Sequence, residues 1–483
     1  MLDKFRPKFH FTPESNWMND PNGMVYFQDE YHLFYQHYPD GNQWGPMHWG
    51  HAISPDMVHW EHYPIALAPD EHGTIFSGSA VVDWQDTSGF FGGQPGLVAI
   101  FTHHDRVPGT DRKRERQSLA YSIDAGRTWT KYANNPVLTN EDYPDFRDPK
   151  VFWHEPIEQW VMMLASGHTI SIYNSPDLKN WTFASEFGQG AGCHVGVWEC
   201  PDLFELPVDG DSSRTKWIML VSLGRTYELS SGIQYFIGDF DGRTFVNSGS
   251  PEGVRWLDLG RDNYAGVTWS DIPAEDGRTI CIGWMSNWRY ANRTPTGSWR
   301  GEMTIPRELA LETRHGELML IQRPIRELKA IRQPILAIED CSIKDAEQKL
   351  YDLQLVSYEI IVEFIFDTGV EELGIKVRKS QSTETVIKYA PPSCELTLDR
   401  TQSGDSSFDE TFARAHTVQL KTGQHVRLQV FVDSSSVEVF ANDGEKVMTD
   451  LIFPEWQADR IEVFARGTAV RLKSLDVYEL AKK

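Results

Sequence analysis

The sequence predicts an all-β protein built as a five-bladed β-propeller followed by a C-terminal two-sheet β-sandwich. Three observations lead there. The first part of the chain is a series of short apolar runs with no long amphipathic helix before about residue 325. An acidic turn followed by an aromatic recurs along that part. The last part switches to strict alternation of apolar and polar residues.

The apolar runs are strand-like: Gly96–Thr102 (GLVAIFT), Trp160–Ala165 (WVMMLA), Trp217–Ser222 (WIMLVS) and Thr279–Met285 (TICIGWM). Met24–Tyr35 (MVYFQDEYHLFY) reads as a hairpin turning at Asp29-Glu30. The repeat comprises Ser54-Pro55-Asp56 leading to Trp60, Ser122-Ile123-Asp124 leading to Trp129, Ser175-Pro176-Asp177 leading to Trp181, and a looser copy from Asp239 to Phe245. Its aromatics stand 69, 52 and 64 residues apart, a spacing that four-stranded blades with long loops can fill. About 320 residues at that spacing makes five blades.

The domain boundary follows from tryptophan usage. Sixteen of the 17 Trp lie in residues 1–299, and only Trp456 comes later. The expected division is a propeller over 1–325, a linker or short helix over 326–339, and a sandwich over 340–483 that supports the propeller. Tyr358–Phe364, Val426–Asp433, Ser436–Phe440 and Val470–Tyr478 alternate with period two, and Asp433-Ser434-Ser435 reads as a hairpin turn.

Bulk properties exclude several functions. The chain has 46 Lys and Arg against 69 Asp and Glu, a net charge of -23, which repels nucleic acid and anionic membranes but suits a neutral substrate. Five scattered Cys without a C-x-x-C pair do not make a disulfide scaffold or a zinc site. His48-x-x-His51 and His103-His104 are too short to specify a metal, and no nucleotide-binding glycine pattern or Gly-x-Ser-x-Gly occurs. No metal and no cofactor is expected. The start, MLDKFRPKFHFTP, lacks the apolar stretch of a leader. That leaves either a cytoplasmic protein or a secreted one whose leader is absent from this sequence.

Chemistry concentrates in three strings: Trp17-Met18-Asn19-Asp20-Pro21-Asn22-Gly23, Phe146-Arg147-Asp148-Pro149 and Trp198-Glu199-Cys200-Pro201-Asp202. Each sets a carboxylate among aromatic, Pro or Gly residues. Paired carboxylates with flat apolar faces are what cleavage of a glycosidic bond needs. Asp20 has the surroundings of a nucleophile, with the Asn19 amide placed to hydrogen-bond it and keep it ionised. Asp-Pro-Asn-Gly alone could equally be a surface turn. Glu199, in an apolar stretch between Trp198 and Cys200-Pro201, suits an acid/base whose proton is held by poor solvation. Asp148 beside Arg147 is expected to stay ionised and to accept from sugar hydroxyls; its rival reading is a structural ion pair. Gln36, Asn19 and Ser77 can bind hydroxyls, and Trp44, Phe76, Trp288 and Trp299 offer apolar faces.

These motifs resemble glycoside hydrolase family 32, the invertase, inulinase and levanase group. WMNDPNG at 17–23, FRDPK at 146–150 and WECPDLF at 198–204 are similar to its three signature blocks. QWGPMHWGHA at 43–52, FSGSAV at 76–81 and Asp262-Asn263-Tyr264-Ala265 also look like family segments, and the likeness runs over essentially the whole chain. The resemblance implies a propeller with its site in the central funnel. It also implies Asp20 as nucleophile, Glu199 as acid/base and Asp148 as transition-state stabiliser with Arg147 beside it. Asn19, Gln36, Trp44, Phe76, Ser77, Tyr264 and Trp288 would line the subsite for a terminal fructose. The implied substrates are sucrose and fructans such as levan and inulin, with bacterial exo-levanases closest in look. Endo-levanase and fructosyltransferase remain alternatives within the family, and a non-catalytic carbohydrate-binding protein is the alternative from another class.

Overall fold

The computed structural model describes residues 3–224 and 231–481. Each blade is an antiparallel sheet whose first strand lies innermost, on the propeller axis. Blade one is Asn16–Phe27, Glu30–Tyr38, His48–Ser54 and Glu61–Leu67. Blade two is Thr74–Asp83, Gly96–Arg106, Lys113–Ser122 and Thr130–Lys131. Blade three is Phe146–His154, Gln159–Ser166, Thr169–Ser175 and Thr182–Phe187. Blade four is Trp198–Val208, Asp211–Leu223, Gly232–Phe240 and Phe245–Asn247. Blade five is Tyr264–Thr268, Thr279–Met285, Arg307–Arg314 and Glu317–Pro324. The apolar runs at 96–102, 160–165, 217–222 and 279–285 all fall on second strands, where both faces are covered by neighbouring blades, so they read as continuous rather than alternating.

The repeated acidic turns join the third strand of a blade to its fourth. In blade one, Asp56 Oδ1 accepts from the backbone N–H groups of Val58 (2.9 Å) and His59 (2.8 Å), and the Trp60 indole N–H caps the Met57 carbonyl at 3.1 Å. Asp124 with Trp129, and Asp177 with Trp181, repeat the arrangement in blades two and three. Asp241 accepts from Arg243 and Thr244 in blade four, ahead of Phe245. Blade five turns instead through His315-Gly316 and carries no copy. The first hairpin turns at Gln28-Asp29, one residue earlier than expected, because both residues take left-handed backbone (φ 51° and 64°).

The ring closes where Trp299–Arg300, between the second and third strands of blade five, pairs in parallel with Asn16 and Trp17 of blade one. Gly301 follows with φ 95°, and a Cβ there would stand 2.1 Å from the Met18 carbonyl oxygen, so no side chain fits. Trp299, expected as a sugar platform, is buried in this closure with the Arg6 guanidinium 4.9 Å above its ring.

Past blade five, a 3-10 helix at Arg326–Ile331 runs directly into the strand Arg332–Ser342, which pairs with the terminal strand Val470–Leu480. Of the stretch 326–339, expected as linker or short helix, residues 332–339 are therefore sheet. A six-stranded and a five-stranded antiparallel sheet make the sandwich. Their alternating inward residues, among them Ile360, Val362, Leu373, Leu428, Val439 and Leu475, form a core separate from the blades.

A buried ionic chain joins the two parts. His10, ahead of the first strand, places Nδ1 2.9 Å from Asp433 and Nε2 2.8 Å from Glu438. Asp433, in the expected hairpin turn, also accepts from the backbone N–H of Lys8 and Phe9 and from Ser357. Glu438 continues to Arg307, which holds Asp258 at 2.9 Å. Burial works against a charged His10, but its two carboxylate partners outweigh it and raise its pKa to about 9. Burial likewise opposes the Asp433 charge, yet bonding to His10 lowers that group to about 2.

The stabilisation from His10 is full below about 6.5 and is lost as pH rises through about 9. That from Asp433 is present above about 3.8 and lost as pH falls through about 2. The urea midpoint is therefore expected to fall between pH 6.5 and 9. His10→Ala should flatten that fall and cost about 3–5 kcal/mol at neutral pH, because it strands two buried carboxylates. An unchanged slope in the variant would remove His10 from this account.

Candidate active site

In every blade the ladder between the innermost strand and its neighbour slips at the same level. The register shifts fall between Met18 and Pro21, Phe76 and Gly78, Arg147 and Lys150, Glu199 and Asp202, and Tyr264 and Val267. A bulge inserts residues without partners and re-aims the side chains beside it. Proline, which cannot donate to a ladder, follows directly at Pro21, Pro149 and Pro201. Asp148, Cys200 and Ala265 take left-handed backbone at φ 63°, 46° and 52°. The five slips converge near the start of each innermost strand and bring together Asn19 and Asp20, Ser77, Arg147 and Asp148, Glu199 and Cys200, and Tyr264.

Asp20 is buried and bonded on both oxygens, by the Asn19 amide (3.0 Å) and the Ser77 hydroxyl (3.0 Å). Asn19 is itself fixed by the Trp17 indole N–H at 2.7 Å. The Asn19 bond is the one expected to favour the anion. Burial outweighs it, however, and together with the nearby Glu199 charge pushes the Asp20 pKa up to about 6.

Asp148 accepts the Cys200 backbone N–H at 3.0 Å. Its pKa is pushed up to about 8, first by burial, with Arg147 opposing and the charges of Glu199 and Asp20 adding. This corrects the expectation that Arg147 holds Asp148 ionised. Arg147 Nε stands 4.0 Å from Asp148, while the guanidinium bonds Glu115 (3.0 Å), Asp145 (2.7 Å) and Glu199 (3.0 Å).

Glu199 is not in the apolar setting its sequence neighbours suggested. Trp198 points into the blade core, while the carboxylate receives Arg147 on Oε1 and the Tyr264 hydroxyl on Oε2. Gly224 comes so close that a Cβ there would lie 3.1 Å from Glu199 Oε2.

The remaining candidates form the wall and rim. Gln36 lies opposite the Asn19-Asp20 bulge, buried, with its Nε2 donor lacking a partner among the described residues. Trp288 stacks on Trp17 at 6.1 Å and packs against Tyr264. Phe76 stacks on His104 at 4.2 Å, with Trp44, 46% exposed, against its edge at 6.3 Å.

Sequence reasoning missed three residues here. Glu115 anchors Arg147 with both oxygens, but KRERQSLA reads as a charged, solvated strand. Cys200 Sγ lies 3.5 Å from Asp20 and 3.6 Å from Asp148, and burial next to these carboxyls keeps it a thiol. Lys150 supports the floor of the site, bonding the Thr268 carbonyl at 2.8 Å and Asp202 at 3.3 Å. Asp202 is thus turned away from the cluster, towards Lys150 and Thr268.

Raised carboxyl pKa values mean that the folded state holds these protons more tightly than the unfolded chain. Their contribution to stability is full below about pH 4 and is lost as pH climbs through about 6 for Asp20 and 8 for Asp148. Asp148→Asn is accordingly expected to melt higher than the parent at pH 8, by roughly 2–4 °C per kcal/mol relieved. A lower melting temperature at that pH would count against the burial argument.

The description "Glycosyl hydrolases family 32 N-terminal domain" matches residues 10–324, and "Glycosyl hydrolases family 32 C terminal" matches 327–479. The chain is 51% identical to a levanase of Bacillus subtilis over 487 residues, covering 99% of this chain and 71% of that one. It is 39% identical to an extracellular exo-inulinase of Aspergillus ficuum, covering 99% and 94%. The crystal structure of exo-inulinase from Aspergillus awamori superposes with a TM-score of 0.90 at 37% identity, over 99% of this chain and 98% of that one. A β-fructofuranosidase from Schwanniomyces occidentalis complexed with fructosyl-erythritol superposes at 0.88 and 31%, with 99% and 98% covered. Both halves of the chain, and the propeller that gathers these carboxylates, belong to glycoside hydrolase family 32.

Proposed function

We propose that the protein is an exo-acting, retaining β-fructofuranosidase that releases terminal fructose from sucrose and from fructans. The observation that carries this reading is the convergence of Asp20, Asp148 and Glu199 at one end of the propeller axis, each with different partners. Two carboxyls of unlike environment flanking one sugar ring are the requirement for retention by double displacement.

Asp20 is the nucleophile. It is ionised above about pH 6, fixed by Asn19 and Ser77, and attacks C2 of the terminal fructofuranosyl unit. Glu199 passes its proton to the leaving oxygen, giving a fructosyl-enzyme, and then takes a proton from the water that attacks C2 and frees fructose. Arg147 and Tyr264 hold its two oxygens in place for both steps. Asp148 hydrogen-bonds ring hydroxyls and, in its ionised form, stabilises the oxocarbenium-like centre. The Gln36 amide, without a partner for Nε2 among the described residues, supplies a donor for a further hydroxyl, and Trp288, Phe76 and Trp44 wall the fructose and the unit beyond it. Relatives named levanase and exo-inulinase support a fructan substrate. The sandwich, through His10 and Arg307, keeps the first and fifth blades in place.

The test is initial rates on sucrose, inulin and levan with a time-resolved product profile. Fructose alone is expected from both polymers; early short oligosaccharides would show internal cleavage, and growing chains would show transfer. Glu199→Ala should lower kcat on sucrose by about 10²–10⁴-fold, and undiminished turnover would overturn its role. The acid limb of kcat/KM is expected near pH 6, set by Asp20 in the free enzyme.

A further inference from the structure

The other mouth of the propeller axis holds a cavity of about 460 Å3. It is built from the far ends of the same innermost strands that carry the site, including Val81–Asp83, Phe152-Trp153 and Leu203–Glu205, with Thr268–Asp271 completing the wall. Asp148 and Trp153 are five residues apart on one strand, which separates this cavity from the carboxylate cluster by about 16 Å. The Lys150–Asp202 pair lies between them.

Its lining combines aromatic and acidic side chains. Trp84, Trp153 and Trp217 surround it with Glu155, Glu205 and Asp271. Trp84 is 57% exposed, although its indole N–H is fixed by Asp271 at 2.9 Å. Trp153 is held the same way by Glu155 at 2.6 Å. An indole pinned by its N–H at the mouth of a cavity is a rigid platform, prepared at low entropic cost for a flat apolar face. Glu155 and Glu205 each use one oxygen within the protein, Glu155 Oε2 on Trp153 and Glu205 Oε1 on Thr215. The second oxygen of each has no protein partner among the described residues and can accept a hydroxyl.

Charge narrows the class of ligand. The one cation in the lining, Lys150, is occupied by Thr268 and Asp202, so an anion finds no donor charge. The same ammonium at the inner end, and the engagement of Asp271 by Val82 and Trp84, disfavour a buried cation. What remains is a neutral ligand with apolar faces and many hydroxyls, and the volume lies within the range of small-molecule sites.

We propose that this distal cavity is a second, non-catalytic carbohydrate site that holds a segment of the fructan polymer. The choice of fructan rests on the function proposed above; the choice of a neutral sugar rests on the cavity alone. Holding the polymer at one mouth raises the local concentration of chain ends at the other, which favours polymer over sucrose without altering the chemistry.

The experiment compares Glu199→Ala with Glu199→Ala/Trp84→Ala/Trp153→Ala by native electrophoresis through gels containing levan. In the active background, Trp84→Ala/Trp153→Ala is assayed on sucrose and on levan. Retardation is expected to weaken at least about tenfold in apparent affinity, a loss of about 1.4 kcal/mol. KM for levan should rise while kcat/KM for sucrose stays within about twofold. Undiminished retardation in the triple variant overturns the proposal. Should the double variant lose sucrose turnover through misfolding, Trp84→Ala alone decides by the same two readouts, since its ring stands largely in solvent. A parent protein that cleaves neither sucrose nor levan would sink the fructosidase reading while leaving the retardation result to be judged separately.

Discussion

Everything in the catalytic end of this molecule depends on one backbone constraint, the loss of register at a single level in all five blades. A regular innermost strand would send alternate residues to opposite faces, with no two blades obliged to agree on which. Inserted residues at Asn19-Asp20, Ser77, Asp148-Pro149, Cys200-Pro201 and Ala265-Gly266 break that rule together. The backbone at Asp148, Cys200 and Ala265 is strained by it. Such strain persists only where the surroundings over-determine it. Here the rigid second strands and the parallel closure of Trp299–Arg300 on blade one supply that insistence.

Electrostatics at the site follow from the same crowding. Three carboxyls are gathered around one guanidinium, and Arg147 is shared among Glu115, Asp145 and Glu199 rather than given to Asp148. Burial raises both Asp20 and Asp148, and the Asn19 and Ser77 donors keep Asp20 the lower of the two. Asp20 loses its proton first, Asp148 keeps one longer, and Glu199 is gripped by donors on both oxygens.

Much of this was readable in the sequence, for local reasons. Acidic turns before Trp60, Trp129 and Trp181 are self-contained hydrogen-bonded units, so they survive as a repeat and count blades. The fifth blade has no such turn and was inferred from length. The three carboxylates were legible because Pro and aromatic residues beside an acid are rare company. Partners were not legible. Glu115 reaches Arg147 across two blades, and nothing in its own strand marks it. The surroundings of Glu199 were misjudged because sequence neighbours on a strand point away from it, so Trp198 describes the opposite face. Trp299 looked like a sugar platform until ring closure buried it. Residues 332–339 looked like linker because they pair with the last strand of the chain, far beyond any local window.

The N-terminal clamp has a consequence for the birth of the protein. Lys8, Phe9 and His10 are anchored at Asp433, which is made 423 or more residues after them. Asn16 and Trp17 likewise wait for Trp299 and Arg300. Until Trp299 and Arg300 are made, the edge of blade one beside Asn16–Trp17 is open, and until Asp433 follows, the segment ahead of it has nothing to hold. Contacts of such long sequence separation form slowly, and an unpaired strand edge invites pairing with another nascent chain. The clamp segment is thus secured long after it is made, and the interval is one that a cell must cover with chaperones or with speed.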